Sequence, residues 1–188
     1  MPISSLLILT GPPGSGKTTV APLLAQRFAK SCVVESDWFW TTVVNGGIDP
    51  WLADAVPQNR AMIRASLSAS ARLANADYFT VLEGAIGPWH LDLVRDELQH
   101  VEFQVSYAVL RPSIDTCLTR AVRRVEETRH RNALTAEGPI RQLYERFSDL
   151  DVFECHIVDT SDLTASEAAD RLLVMLQGSK DLKIKVQS

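Results

Sequence analysis

The sequence predicts an α/β fold, a three-layer αβα sandwich around a five-stranded parallel sheet. Short apolar runs alternate with helix-patterned stretches along the chain, the pattern of β–α–β units with right-handed crossovers. The first apolar run ends in Gly11-Pro12-Pro13-Gly14-Ser15-Gly16-Lys17-Thr18. This matches G-x-x-x-x-G-K-[ST], set between a strand and a helix. Four further predicted strands run out at Asp37, Glu83, Arg111 and Asp159-Thr160, and such sheets bind ligands beyond the carboxyl ends of their strands.

Each element has a local reason. Leu6 to Leu9 predict a strand buried on both faces. Val20, Leu23, Leu24 and Phe28 place a helix over about 17–29, although Pro22 removes a backbone donor inside it. Cys32 to Glu35 form a second strand that stops at Ser36-Asp37. Asn45-Gly46-Gly47 and Asp49-Pro50 are turn signals, and an alanine-rich helix follows over about 57–75. Phe79 to Leu82 make the third strand, ending at Glu83-Gly84, and Pro88 opens a short helix with Leu91 and Val94. Val101 to Leu110 predict the fourth strand, after which Ser113 is placed to cap a helix through Leu118, Ala121 and Val125. Residues 126–138 are polar, and Gly138-Pro139 breaks the chain before a helix to about Phe147. His156 to Val158 form the fifth strand, Thr160-Ser161-Asp162 leads into a helix over 164–177, and alternating Leu182, Ile184 and Val186 suggest a short last strand. The 188 residues fit one domain, 1–188, with a lid at about 126–138 and acceptor-side helices over about 38–75.

The phosphate loop explains its own residue types. Gly11, Gly14 and Gly16 let the backbone bend closely round an anion. The N–H groups of residues 13–18, including Pro13's neighbours Gly14 and Ser15 and reaching Lys17 and Thr18, then face inward at the positive end of a helix. Lys17 aims a full charge at the β- and γ-phosphates, and the Thr18 hydroxyl is a hard oxygen suited to Mg²⁺, with Thr19 beside it. Asp37 has three open readings: general base toward an attacking hydroxyl, water-mediated Mg²⁺ ligand, or N-cap of a helix starting near Trp38. For Glu83 the readings are substrate contact, metal ligand, or neutralisation of Lys17.

Composition narrows the function. A net charge of −4 argues against a general nucleic-acid or membrane-surface binder. No apolar run has the length of a membrane span, and the N-terminus lacks the basic region of a signal peptide. Cys32, Cys117 and Cys155, odd in number and without C-x-x-C spacing, read as free thiols of a cytoplasmic protein, and His90, His100, His130 and His156 lack ligand spacing. There is no N-K-x-D segment, no D-x-x-G after a strand and no L-S-G-G-Q run, so GTPases and transport ATPases fit poorly.

Two further groups stand out. Arg111 to Arg131 hold arginines 111, 120, 123, 124, 129 and 131 against Asp115, Glu126 and Glu127, a local charge of +3. Arg120 and Arg124 lie one helical turn apart, as guanidiniums serving phosphate oxygens would; a solvated helix face is the alternative. Trp38, Trp40, Trp51 and Trp89 all follow the second and third strands, where they either pack helices or wall a water-excluding acceptor pocket. Gln58, Asn59 and Arg60 are polar candidates beside them.

The phosphate loop, Asp37, Glu83-Gly84, Cys117-x-x-Arg120-x-x-x-Arg124 and Val158-Asp159-Thr160 together resemble the small phosphate-loop kinases, such as shikimate kinase, gluconate kinase and chloramphenicol phosphotransferase. The resemblance spans about 3–177 and implies a P-loop NTPase sheet in the order 2-3-1-4-5, with ATP and Mg²⁺ as cofactors. By the same likeness Asp37 is the base, Arg120 packs on adenine, Arg124 reaches phosphate and Thr160 lines the adenine pocket. Shikimate kinases carry Asp-x-Asp after the second strand, whereas Trp38 and Phe39 follow Asp37 here. The expected activity is transfer of the γ-phosphoryl group to a hydroxyl of a small metabolite or antibiotic, catalysed by Lys17, Asp37 and Arg124, with Trp40, Trp51, Arg60, Glu83 and Trp89 toward the acceptor. The alternatives are a nucleoside or nucleotide kinase and a nucleotide-binding regulatory module without turnover. The expected state is a monomer or homodimer that binds neither nucleic acid nor membrane.

Overall fold

The computed structural model describes residues 6–128, 137–178 and 182–186, with the side chains of 122–128 outside the description. Five parallel strands, β1 (Leu6–Thr10), β2 (Ser31–Glu35), β3 (Phe79–Glu83), β4 (Val105–Leu110) and β5 (Ile157–Val158), lie in the order 2-3-1-4-5. The helices are α1 (Lys17–Ala25), α2 (Asp37–Thr41), α3 (Val56–Asn75), α4 (Leu91–Leu98), α5 (Ile114–Thr128), α6 (Glu137–Glu145) and α7 (Ala165–Gly178).

Strand periodicity divides the interior into two cores. Leu6 and Ile8 of β1 join Val105, Tyr107 and Val109 of β4 under α3 and α4. Leu7 and Leu9 join Ala108 and Leu110 against α1 and α7 on the other face. Because β1 is covered on both sides, all five of its residues are buried, as central strands of parallel sheets are. The same stacking fixes which ends of the strands converge, and Gly11, Ser36, Gly84 and Arg111 all leave that end of the sheet.

Several predicted boundaries shift. α1 stops at Ala25 instead of about 29, because Arg27 and Phe28 donate to carbonyls only three residues back and the Phe28 ring stacks on Phe79 at 3.6 Å. β4 begins at Val105 instead of Val101, since Leu6 of β1 pairs with Val105 and the Val101 N–H closes the end of α4 on Leu98. α6 starts at Glu137, so Gly138 and Pro139 lie in its first turn, where the missing proline donor costs nothing. The predicted lid is described only up to Thr128 and from Glu137, and Arg129 and Arg131 lie outside the described residues.

The predicted Ser113 cap forms. The Thr116 N–H donates to Ser113 Oγ at 3.2 Å. Thr164 and Glu167 form a reciprocal capping box: the Thr164 N–H reaches the Glu167 carboxylate at 2.8 Å and the Glu167 N–H reaches Thr164 Oγ1 at 3.2 Å. β5 is only two residues long and covers only Val109 and Leu110. The tail completes that edge: Ser106 and Lys183 form an antiparallel bridge, flanked by bonds of 2.7 Å from Tyr107 N–H to Leu182 and 3.1 Å from Ile184 N–H to Val105.

Tyr107 ties the sheet to the loop after β3. Its side chain is fully buried, and its hydroxyl donates to the Ile86 carbonyl at 2.8 Å. Burial pushes its phenol well above the ordinary range. Tyr107→Phe leaves that carbonyl without its donor and is expected to cost about 1–3 kcal/mol, read from denaturant unfolding curves; an unchanged midpoint would remove this bond from the account.

Candidate functional site

The phosphate loop is shaped by what lies beneath it. Gly11 (φ +144°) and Gly14 (φ +77°) adopt backbone angles that side chains disfavour. A Cβ on Gly11 would sit 2.1 Å from the Leu110 carbonyl oxygen, and one on Gly14 would sit 2.1 Å from that of Cys117. The loop therefore rests directly on β4 and α5. Burial pushes the Cys117 thiol up to about 11, with Lys17 and Arg120 pulling it back, so it packs as a neutral residue. Thr160 Oγ1 donates to the Ser15 carbonyl at 3.5 Å, and Arg120 Nη2 donates to the Thr160 carbonyl at 3.1 Å. These contacts join Ser15, Thr160 and Arg120 behind the loop, and Gly16 (φ +96°) faces the Arg120 guanidinium. Pro13 is half-buried on the loop and Thr19 exposed on α1.

Lys17 opens α1 and curls back over the loop. Its Nζ donates to the Gly11 carbonyl at 2.9 Å, the Pro12 carbonyl at 3.0 Å and Ser15 Oγ at 3.3 Å. Behind it, Thr18 Oγ1 donates to Glu83 Oε1 at 3.0 Å. Glu83 is only 5% exposed. Burial raises its carboxyl above the usual range; Lys17 pulls it down, Asp37 pushes it up, the Thr18 bond lowers it and Glu35 raises it. Asp37 therefore belongs to the same electrostatic cluster. It is the first residue of α2, with Ser36 as the N-cap and no side-chain capping bond there, which removes the N-cap reading. Its carboxylate stays exposed. Gly84 is glycine because Ser36 fills its side-chain space: a Cβ there would lie 1.8 Å from Ser36 Oγ. The two loops that deliver Asp37 and Glu83 thus touch.

The predicted acceptor residues are more scattered. Trp40 Nε1 donates to Asn59 Oδ1 at 2.9 Å, tying α2 to α3. Trp38 and Trp51 are 68% and 57% exposed. Arg60 is taken up by Asp92 at 2.8 Å. Trp89 is half-buried, edge-on to Phe147 at 4.9 Å, and the Arg146 guanidinium lies 3.8 Å over its ring. Arg111 does not join the loop: it clamps the Phe147 and Ser148 carbonyls and the Glu154 carboxylate. The side chains of Arg123 and Arg124 lie outside the described residues, although α5 carries both.

Sequence reading missed Arg146 and His90. Trp89 Nε1 and His90 Nδ1 are buried without a hydrogen-bond partner among the described residues. Burial, then Arg146, holds the His90 imidazole down at about 4, against Asp92, so it is neutral near pH 7. No periodicity marks either residue, since both act through neighbours distant in the chain.

A hard hydroxyl beside a buried carboxylate suits Mg²⁺, which takes one or two such ligands and completes its shell with phosphates and water. Among the described residues no group of three or more His, Cys, Asp or Glu side chains is placed to hold a metal ion. No described helix is long and apolar enough to cross a membrane.

A family described as an AAA domain matches residues 6–149. No curated protein sequence matches the chain. Among solved structures, a gluconokinase from Sinorhizobium meliloti 1021 is similar at 17% identity and a TM-score of 0.64, covering 94% of each chain. Shikimate kinase from Acinetobacter baumannii in complex with shikimate is similar at 19% identity and a TM-score of 0.59, covering 93% of this chain and 94% of that one. The Deinococcus radiodurans tunicamycin resistance protein is similar at 17% and 0.59, covering 93% and 96%. The predicted fold and the 2-3-1-4-5 order stand.

Glu83 carries a testable sign. The folded chain holds its proton where the unfolded chain has released it, so stability falls as pH rises through the ordinary glutamate range toward the raised value. Glu83→Gln is expected to stabilise the nucleotide-free protein near pH 7 by about 0.5–2 kcal/mol, with the gain vanishing below the ordinary glutamate range. Unfolding curves at several pH values check this; an equal loss at every pH would contradict it.

Proposed function

The chain belongs to the AAA-domain family, and from that premise we propose that it is an ATP-dependent phosphotransferase acting on a hydroxyl of a small molecule. The observation that carries the reading is the cluster of Lys17, Thr18, Glu83 and Asp37 at one end of the sheet. In a phosphate loop serving ATP, the N–H groups of residues 14–18 cradle the β- and γ-phosphates. Lys17, bonded to the Gly11 and Pro12 carbonyls and to Ser15 Oγ, exchanges these partners for phosphate oxygens. Thr18 and Glu83 are the residues that would hold Mg²⁺, which supplies charge neutralisation of the triphosphate when bound.

Asp37 is the proposed base. Its exposed carboxylate accepts the proton of the acceptor hydroxyl while that oxygen bonds to the γ-phosphorus. The bond from that phosphorus to the β–γ bridging oxygen breaks, and ADP leaves. Arg124, one turn from Arg120 on α5, is assigned to the charge on the transferring group. Arg120 and Thr160 are assigned to the adenine side, and Trp40, Trp51, Arg60 and Trp89 to the acceptor side.

The names of the similar structures cover gluconokinase, a shikimate complex and tunicamycin resistance, so the fold alone leaves the acceptor open. A thermal-shift screen of sugars, sugar acids, nucleosides and aminoglycoside- or phenicol-type antibiotics, with a non-hydrolysable ATP analogue, sorts the classes. Stabilisation by nucleosides alone would favour a nucleoside kinase.

Asp37→Asn is expected to leave ATP affinity nearly intact and cut phosphoryl transfer at least about a hundredfold. An unchanged rate removes Asp37 from the mechanism. ATP binding without transfer to any hydroxyl of the panel would favour a regulatory module.

A further inference from the structure

Away from the phosphate loop, a half-open cavity of about 220 Å³ lies between α4, the tail and the 151–156 turn. Arg95, Lys183 and Lys185 ring it, and no carboxylate of the described residues lines it. None of these three cations has an ion-pair partner among the described residues. That contrasts with Arg60 and Arg64 on the neighbouring helix α3, which are each paired. In a protein of net charge −4, three uncompensated cations around one hollow make a local positive field.

The floor is chemically different from the rim. Phe153 and Ile184 contribute apolar surface. His156 is 5% exposed, and its Nδ1–H donates to the Tyr107 carbonyl at 2.8 Å. That bond fixes the tautomer and leaves Nε2 as the nitrogen available to the cavity.

The cavity is separate from the nucleotide site. Lys183 bridges to Ser106, near the start of β4, whereas the phosphate loop rests on Leu110 at its end. Four residues of strand separate them, roughly 13 Å at ~3.3 Å per residue.

We propose that this cavity is a second ligand site that takes a small organic anion, a carboxylate or phosphomonoester carrying an apolar or aromatic body. The anionic group meets Arg95, Lys183 and Lys185, and the body lies on Phe153 and Ile184. The volume falls below the range of about 300–1,000 Å³ typical of drug-sized ligands, which excludes a nucleoside triphosphate as the occupant.

The test is titration of the full-length protein with phenyl phosphate, benzoate, benzyl alcohol and inorganic phosphate, followed by NMR at the His156 ring and the Gly14 and Gly16 amides. Phenyl phosphate or benzoate is expected to saturate shifts at His156 that are independent of any at the glycines. Arg95→Gln or Lys183→Gln should weaken that binding about tenfold, the loss of one charge-assisted contact; the exposed Lys185→Gln should weaken it as well and serves if another variant fails to fold. The relative response to phenyl phosphate and benzoate distinguishes phosphomonoester from carboxylate. Four results overturn the proposal: no saturation, shifts confined to the glycines, unchanged affinity in every folded variant, or equal binding of benzyl alcohol or inorganic phosphate.

Discussion

The structure depends on close contact between a glycine-rich turn and the backbone beneath it. Gly11 lies on the Leu110 carbonyl and Gly14 on the Cys117 carbonyl, with no room for even one methyl group. This contact places the N-terminus of α1 at the carboxyl end of the central strand. It also ties the cradle to β4 and to α5, the helix that carries Arg120 and Arg124. A substitution in the loop therefore disturbs the seating of α5 as well as the anion site.

A second constraint is the buried acid. Glu83 closes β3 inside the sheet, where desolvation opposes its charge and Lys17 partly offsets that cost. Natural cores rarely keep such a group without a use. Its bond to Thr18 holds two hard oxygens together beside the phosphate loop. Asp37 reaches the same cluster from β2 because Ser36 packs on Gly84. Small residues at both strand ends let two acidic loops meet.

Much of this was legible in the sequence, and for local reasons. Strand runs, the phosphate loop and the Ser113 cap are patterns within a few residues of each other, so they could be read directly. The start of β4 is not legible locally because Val101, Phe103 and Val105 alternate with polar residues as in a strand while the Val101 N–H ends α4; only the register with Leu6 decides the boundary. Arg111 at a strand end invited a ligand role, yet the carbonyls of Phe147 and Ser148 and the carboxylate of Glu154 claim it. The acceptor side was the least legible part. Arg60 meets Asp92, and Trp89 meets Arg146 and Phe147, across separations that no periodic pattern encodes.

The central claim is that Lys17 and the loop amides exchange their internal partners for the phosphates of ATP. Titration with a non-hydrolysable ATP analogue and Mg²⁺, followed by NMR at the Gly14, Gly16 and Thr18 amides and at Lys17 Nζ, tests it most directly. The account predicts saturable shifts at all four, with the Lys17 resonance leaving its nucleotide-free position. Nucleotide binding that leaves these signals unmoved would contradict it.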